Sequence, residues 1–412
     1  MCVPVPSRHR RITRADLARP WLSVLRVVGI SALVLAVTAA SLATIEVWSL
    51  GHTIADNSVD ISNGSTEPPV SIGAIEGAFN VLMVGADNTP DQSSFGEERD
   101  ATLNDVNILV HIAADHKSGI VVSFPRDLMI DHPDCTDPTT GETYDAVDDE
   151  PLNSSFERGG LGCVVATISS LTGLDIPYAA LFSFAGTVAM TDAVGGVSVC
   201  VTDAIDDPDS GLVLPAGQSV ISGRTALAYL RDRHGVGDGS DLARISSQQA
   251  YMSSLIRTMT SSETLGNPAK LYALATAAAS NVNLSTSLAG LDTMVTMALA
   301  LKNIDLSQMV FVQYPNLEDP NDANKLIPNG DLATTLIQKI VNDQPIALDA
   351  NALGDNAEVD PNAVEPTTPA PPASTADPAD PAASAPPATA PEVVDGLKGT
   401  TASQATCSVA AG

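Results

Sequence analysis

Four arginines crowd one short stretch of an otherwise acidic chain. Arg224, Arg231, Arg233 and Arg244 all lie in SGRTALAYLRDRHGVGDGSDLARISSQQ, from Ser222 to Gln249. The 412 residues carry 20 Lys and Arg against 49 Asp and Glu, and only eight arginines fall beyond residue 48. Half of those eight in one segment points to an anion site, because a guanidinium fork gives phosphate two parallel hydrogen bonds and keeps its proton. Neutralisation of neighbouring acids on a solvated face is the competing reading, so the company these arginines keep decides between them.

That company stands at the ends of three apolar runs. AFNVLMVGAD (Ala78–Asp87), VNILVHIA (Val106–Ala113) and GIVVSFP (Gly119–Pro125) read as buried strands, rich in Val and Ile. Asp87 ends the first, Asp105 immediately precedes the second, and Pro125-Arg126-Asp127 ends the third. Side chains at adjacent strand ends meet above a sheet edge, where α/β proteins place ligands. Two carboxylate ligands plus a phosphate are a usual way to hold Mg²⁺. Turn chemistry accounts for either aspartate alone. Joined by Arg126, Arg231, Arg233, Arg244 and Gln248 or Gln249, the set becomes a metal-assisted pyrophosphate site. Asp105, Asp127 and Asp87 are the candidates for a general base.

The elements that must position these groups alternate between strand and helix. Gly159–Gly162 leads into a helix, CVVATISSLTGL, and LFSFAGTVAMTDAVGG reads as a second helix closed by its Gly pair. VSVCV (Val197–Val201) is a strand, and the pattern leaves ALAYLRDR open between strand and helix. A Gly-rich loop, HGVGDGSD, precedes a helix starting near a Ser240-Asp241 cap. Two Ala- and Leu-rich helices occupy 267–302, and MVFVQYP (Met309–Pro315) is a late strand. The alternation predicts a layered α/β domain over 76–350. The loop from Asp131 to Pro151 lacks the spaced ligands of a calcium loop and reads as solvated.

Either side of that domain the composition changes. Residues 1–26 form a basic segment with six arginines, followed by Val27–Ile45 without a charge, predicting a membrane helix over 27–48 with Trp21 and Trp48 near its ends. The basic flank places the N-terminus in the cytoplasm and the domain outside. A signal peptide cleaved near Ala39-Ala40-Ser41 is the alternative, for which the apolar run is long. Residues 49–75 read as a stalk, and 351–412, acidic and rich in Ala and Pro, as a disordered tail. Outside the cell Cys135, Cys163, Cys200 and Cys407 make two disulfides, with Cys135–Cys163 the favoured first pair and Cys407 a possible tether for the tail. Such acidity excludes a nucleic-acid partner.

The order FNVLMVGAD, NDVNILVHIA, VVSFPRD, LNSSFERGG, LTGLDIPYAALFSF, DAVGGVSV, LPAGQSVISGRTALAYLRDR and SDLARISSQQ resembles the LytR-CpsA-Psr family of cell-wall glycopolymer ligases, in the style of its actinobacterial members. The resemblance implies a three-layer α/β/α domain with a central mixed sheet, membrane-anchored on the outer face of a Gram-positive cell. It implies transfer of a glycopolymer from a polyprenyl pyrophosphate to peptidoglycan, onto the C6 hydroxyl of N-acetylmuramic acid, with release of polyprenyl phosphate. Asp87 and Asp105 would hold Mg²⁺. Arg126, Arg231, Arg233, Arg244, Gln248 and Gln249 would grip the pyrophosphate, and an apolar tunnel would take the lipid. Two positions depart from the family pattern. Leu103-Asn104-Asp105 stands where Arg-Ser-Asp is usual, with Arg99 nearby, and Ser247 replaces an arginine. A pyrophosphatase, and a regulator that binds prenyl phosphate without turnover, are the alternative functions.

Overall fold

The three apolar runs pair as the sheet's middle. In the computed structural model, which describes residues 14–62, 77–87, 102–301, 304–349, 351–353, 356–363 and 391–411, β1 (Phe79–Ala86), β2 (Asn104–Ile112) and β3 (Gly119–Phe124) are consecutive antiparallel strands. Parallel neighbours flank them: Tyr178–Phe182 lies beside β1 and Met309–Gln313 beside β3. Antiparallel edge strands, Val282–Leu284 and Gly399–Thr401, complete a mixed seven-stranded sheet. Parallel pairing with β1 explains why Leu181 and Phe182 are strand rather than the start of the predicted second helix. That helix begins at Phe184, where the Ser183 side chain accepts from Gly186 N.

Strand alternation divides the two faces. Leu82, Val84, Leu109, Val122, Val310 and Val312 join one core with helix α2 (Ser155–Thr172) and the helix Gly330–Val341. On the opposite face Met83, Gly85, Val106 and Ile108 look towards helices α3 (Phe184–Val194), α4 (Gly223–Arg231) and α5 (Asp241–Thr260). ALAYLRDR is therefore helical up to Arg231, with Asp232 already extended. Helix α2 starts at Ser155, earlier than its glycines suggest, and kinks at Gly159 and Gly160.

Residues Met1–His52 and Thr53–Gly412 form two compact units. The predicted membrane helix at 27–48 falls within a longer helix, α1 (Arg14–Asp56), which presents exposed Val27, Val28, Ile30, Leu33, Val37, Trp21 and Trp48. Among the described residues, no helix is long and apolar enough to cross a membrane. The first residues of the predicted stalk continue α1 to Asp56, while residues 63–75 of it, together with Arg99 and residues 364–390, lie outside the described residues.

Two other expectations are corrected. The acidic loop is two hairpin ladders, Met129–His132 with Val147–Pro151 and Cys135–Thr136 with Thr143–Tyr144. Within the predicted tail 351–412, the described residues include paired strands: Gly399–Thr401 pairs with the central sheet, and Thr406–Ser408 lies between Val197–Val201 and Ala357–Val359. Composition predicts that such a segment cannot fold alone, but here strands from the domain supply its partners. Cys407 is bonded to Cys200 across 207 residues, and Cys135 to Cys163.

Candidate functional site

A register shift between Gly85 and Ala86 sets the site. Gly85 faces Val106 and Ala86 faces Asn104, so Asp105 is the extra, bulged residue of β2. Bulges bend a strand and re-aim side chains beside active sites. Next to it Asp87 is 3% exposed, and its backbone N and Oδ1 tie to Leu103 at 3.0 and 2.8 Å. Leu103, standing where the family has arginine, thus fixes Asp87 through its backbone. Neighbouring Asn104 is fully buried and bonds Asn107, Leu152 O, Phe156 N and Ser155 Oγ, joining β2 to the LNSSF segment.

Arg126, one residue past β3 and Pro125, reaches Asp105 with Nη1–Oδ1 at 2.7 Å. Its Nε approaches Asp127 at 3.3 Å and Asp241 at 3.8 Å. Burial opposes its charge, but Asp105, Asp127 and Asp241 outweigh that, and its pKa is raised. Helix α4 delivers Arg231 at its C-terminal end, which favours a cation, stacked 4.2 Å over the Phe184 ring. Helix α5, capped by Ser240, carries Asp241 and Arg244 one turn apart. Arg244 ion-pairs with Asp241, and its Nη2 donates to Asp105 O at 3.0 Å. Arg233 lies 3.6 Å from the same Asp241 oxygen.

Four guanidinium groups thus line one cavity of about 480 Å³ together with Asp87 and Asp105, and with Asp207 and Asp209 from the segment before α4. Burial, then Arg244 and Arg126, push the Arg233 pKa down to about 10 against the pull of Asp241 and Asp105. Arg233 Nη2 and Arg244 Nε are buried without a hydrogen-bond partner. Buried donors in that state, converging under mutual repulsion, are what an anionic ligand satisfies. Away from this charged end the cavity is apolar, walled by Met190, Val194, Leu227, Met252, Leu255 and Met259 from α3, α4 and α5.

Of the predicted site residues, Asp87, Asp105, Arg126, Arg231, Arg233, Arg244 and Gln248 line this cavity. Gln248 Nε2 donates to Leu230 O at 3.0 Å, so its amide also holds the end of α4. Asp127 and Gln249 are not among the lining residues. Asp127 turns to Lys325 at 3.1 Å, and Gln249 is buried in α5. Arg224 is exposed at the start of α4. Sequence reasoning missed Asp241, which sits among Arg126, Arg233 and Arg244, because as a residue beside Ser240 it reads as helix capping. The available signal was its i,i+3 spacing to Arg244. Asp87 and Asp105 bring carboxylate oxygens, the donor type that Mg²⁺ takes, to the lining of this cavity, with Oδ1 of each already engaged by Leu103 N and Arg126.

Known proteins are similar to this chain in sequence and fold. Cell wall biosynthesis protein LcpA of Corynebacterium glutamicum is 36% identical over 234 residues, covering 51% of this chain and 45% of LcpA. The polyisoprenyl-teichoic acid–peptidoglycan teichoic acid transferase TagT of Bacillus subtilis is 26% identical over 217 residues, 48% of this chain and 62% of TagT. The chain spans about half the length of the curated relatives it matches. Protein gbs0355 of Streptococcus agalactiae shares the fold, with a TM-score of 0.51 at 19% identity over 65% of this chain and 88% of that one. The LytR_cpsA_psr family itself matches residues 47–341, and with so much of its length covered the chain belongs to that family.

Proposed function

We propose that the protein is a phosphotransferase that moves a glycopolymer from a polyprenyl-pyrophosphate-linked donor onto peptidoglycan. The observation that carries this is the composition of one cavity: guanidinium groups and carboxylates at one end, methionine, leucine and valine along the rest. A diphosphate bearing a lipid tail has the same division. Arg126, Arg231, Arg233 and Arg244 hold the two phosphates, and the tail runs between α3, α4 and α5.

In the transfer, a peptidoglycan hydroxyl oxygen bonds to the sugar-bearing phosphorus while the bond from that phosphorus to the bridging oxygen breaks. Polyprenyl phosphate leaves with the bond's electron pair, and the hydroxyl proton passes to a carboxylate. Of the three candidate bases, Asp87 and Asp105 line the cavity. Phosphoryl transfer depends chiefly on positioning and on neutralising spreading charge, which arginines fixed to Asp105 and Asp241 provide without reorganising. Mg²⁺ bound by Asp87 and Asp105 would add to that neutralisation. Anchoring through α1, with the domain outside the cell, is part of this reading and is supported by the charge-free run Val27–Ile45 and the basic segment before it.

Incubating the full chain with a polyprenyl-diphosphate-linked glycan, Mg²⁺ and peptidoglycan tests this. Polyprenyl phosphate is released and glycan becomes covalently attached to the wall polymer. Arg126→Ala or Asp87→Ala lowers kcat by about 100-fold or more, the loss typical of a transition-state charge partner. Release without attachment identifies a hydrolase, and normal turnover by both variants refutes the site.

A further inference from the structure

A second cluster on the same cavity is of opposite character. Asp207, Asp209 and His234 line it with the arginines, and one ligand atom from each lies within 4.8 Å of the others. His234 Nδ1 is 3.1 Å from Asp209 Oδ2, with both side chains largely exposed at 68% and 72%. Asp207 is 6% exposed and held by Asp209 N and Ser210 N, each 3.1 Å from one of its two oxygens. A carboxylate oxygen accepting one such bond keeps a further lone pair.

Behind the cluster is a fourth carboxyl group. Asp232 is completely buried between Arg231 and Arg233 in sequence, and its Oδ1 accepts from Gly235 N at 3.0 Å. Its Oδ2, also buried, receives no N–H or O–H donor, and its side chain meets that of Asp207. Two carboxyl groups brought together out of water repel unless a proton or a cation lies between them.

We propose that Asp207, Asp209 and His234, backed by Asp232, bind a divalent d-block cation at the rim of the cavity, separate from the Asp87–Asp105 pair. One imidazole nitrogen with carboxylate oxygens is a donor set for borderline ions such as Zn²⁺ rather than for Mg²⁺, which favours oxygen alone. A cation there balances a cluster of acids beside an arginine-rich wall and brings positive charge to the cavity mouth. This inference does not depend on the transfer reaction.

Calorimetric titration of the full chain with Zn²⁺, in excess Mg²⁺, tests it. One saturable site is expected. His234→Ala and Asp209→Ala each weaken it by about tenfold or more, and Asp87→Ala leaves it unchanged. Because both substituted side chains are exposed, circular dichroism of these variants should match the parent. Absence of saturable Zn²⁺ binding overturns the proposal. So does an affinity that neither rim substitution alters, or one lost on Asp87→Ala instead.

Discussion

At the scale of single residues, Asp241 is the internal counter-ion of the anion site. Its carboxylate ion-pairs with Arg126, Arg233 and Arg244 and is itself only 10% exposed. Removing it leaves the buried Arg244 and the half-buried Arg126 and Arg233 facing one another, so Asp241→Asn should lower unfolding free energy by about 3 kcal/mol. The same change frees the arginines for a ligand. Inorganic pyrophosphate should therefore raise the variant's Tm by more than it raises the parent's, which paired thermal melts would measure; an equal or smaller rise would show that Asp241 organises the arginines instead. The arginines were legible in the sequence because they are scarce in this chain. Asp241, Asp207 and Asp209 were not, since acids are abundant and nothing local separates a buried one from a solvated one.

Among elements, the C-terminal strands bear on the site most. Gly237 N donates to Val409 O at 2.8 Å, Ala411 N to Gly235 O at 3.0 Å, and Tyr229 OH meets Ser408 Oγ at 2.6 Å. The glycine loop between Arg233 and Asp241 is thus zipped to residues that the Cys200–Cys407 disulfide ties down. The paired change Cys200→Ser with Cys407→Ser should lower stability by about 3 kcal/mol. It should also speed amide exchange at Gly237 before that of the central strands. Unchanged exchange there would uncouple the strap from the loop. Helices α3–α5 set a second expectation. Met252→Trp, placed in the apolar wall, should raise KM for a long-chain polyprenyl donor more than for a short-chain one, and equal effects on both would argue against a lipid in this channel.

Strands β1 to β3 were readable because each is an uninterrupted apolar run with its own end signals. The C-terminal strands were not, because their partners are distant in sequence: Val310–Val312 and Ala357–Val359, and Val201 more than 200 residues away. The strand Tyr178–Phe182 was missed for the same reason: its state is fixed by β1, not by its own pattern.

For the whole molecule, a net charge of −29 makes the four site arginines a local concentration of basic groups within an acidic body. Acid stability has a separate origin. His132, in the hairpin beside the Cys135–Cys163 disulfide, is 1% exposed, and burial with Arg158 lowers its pKa to about 4 despite Asp131 and the Glu150 backbone. Its neutral form is favoured by folding, so this contribution is complete above about pH 6.5 and is lost as pH falls towards 4. Between those limits His132→Gln should lose about 3 kcal/mol less stability than the parent, as denaturant titrations at several pH values would show.

The central claim is one of place: arginines from the ends of β3 and α4 and from α5 converge on a diphosphate whose tail lies under α3 to α5. A crystal structure with a bound prenyl diphosphate and Mg²⁺ tests it most directly. The account predicts phosphate oxygens on Arg126, Arg231, Arg233 and Arg244, with the prenyl chain along Met190, Leu227 and Met252. A diphosphate bound away from these arginines, or a chain lying outside the cavity, would contradict it.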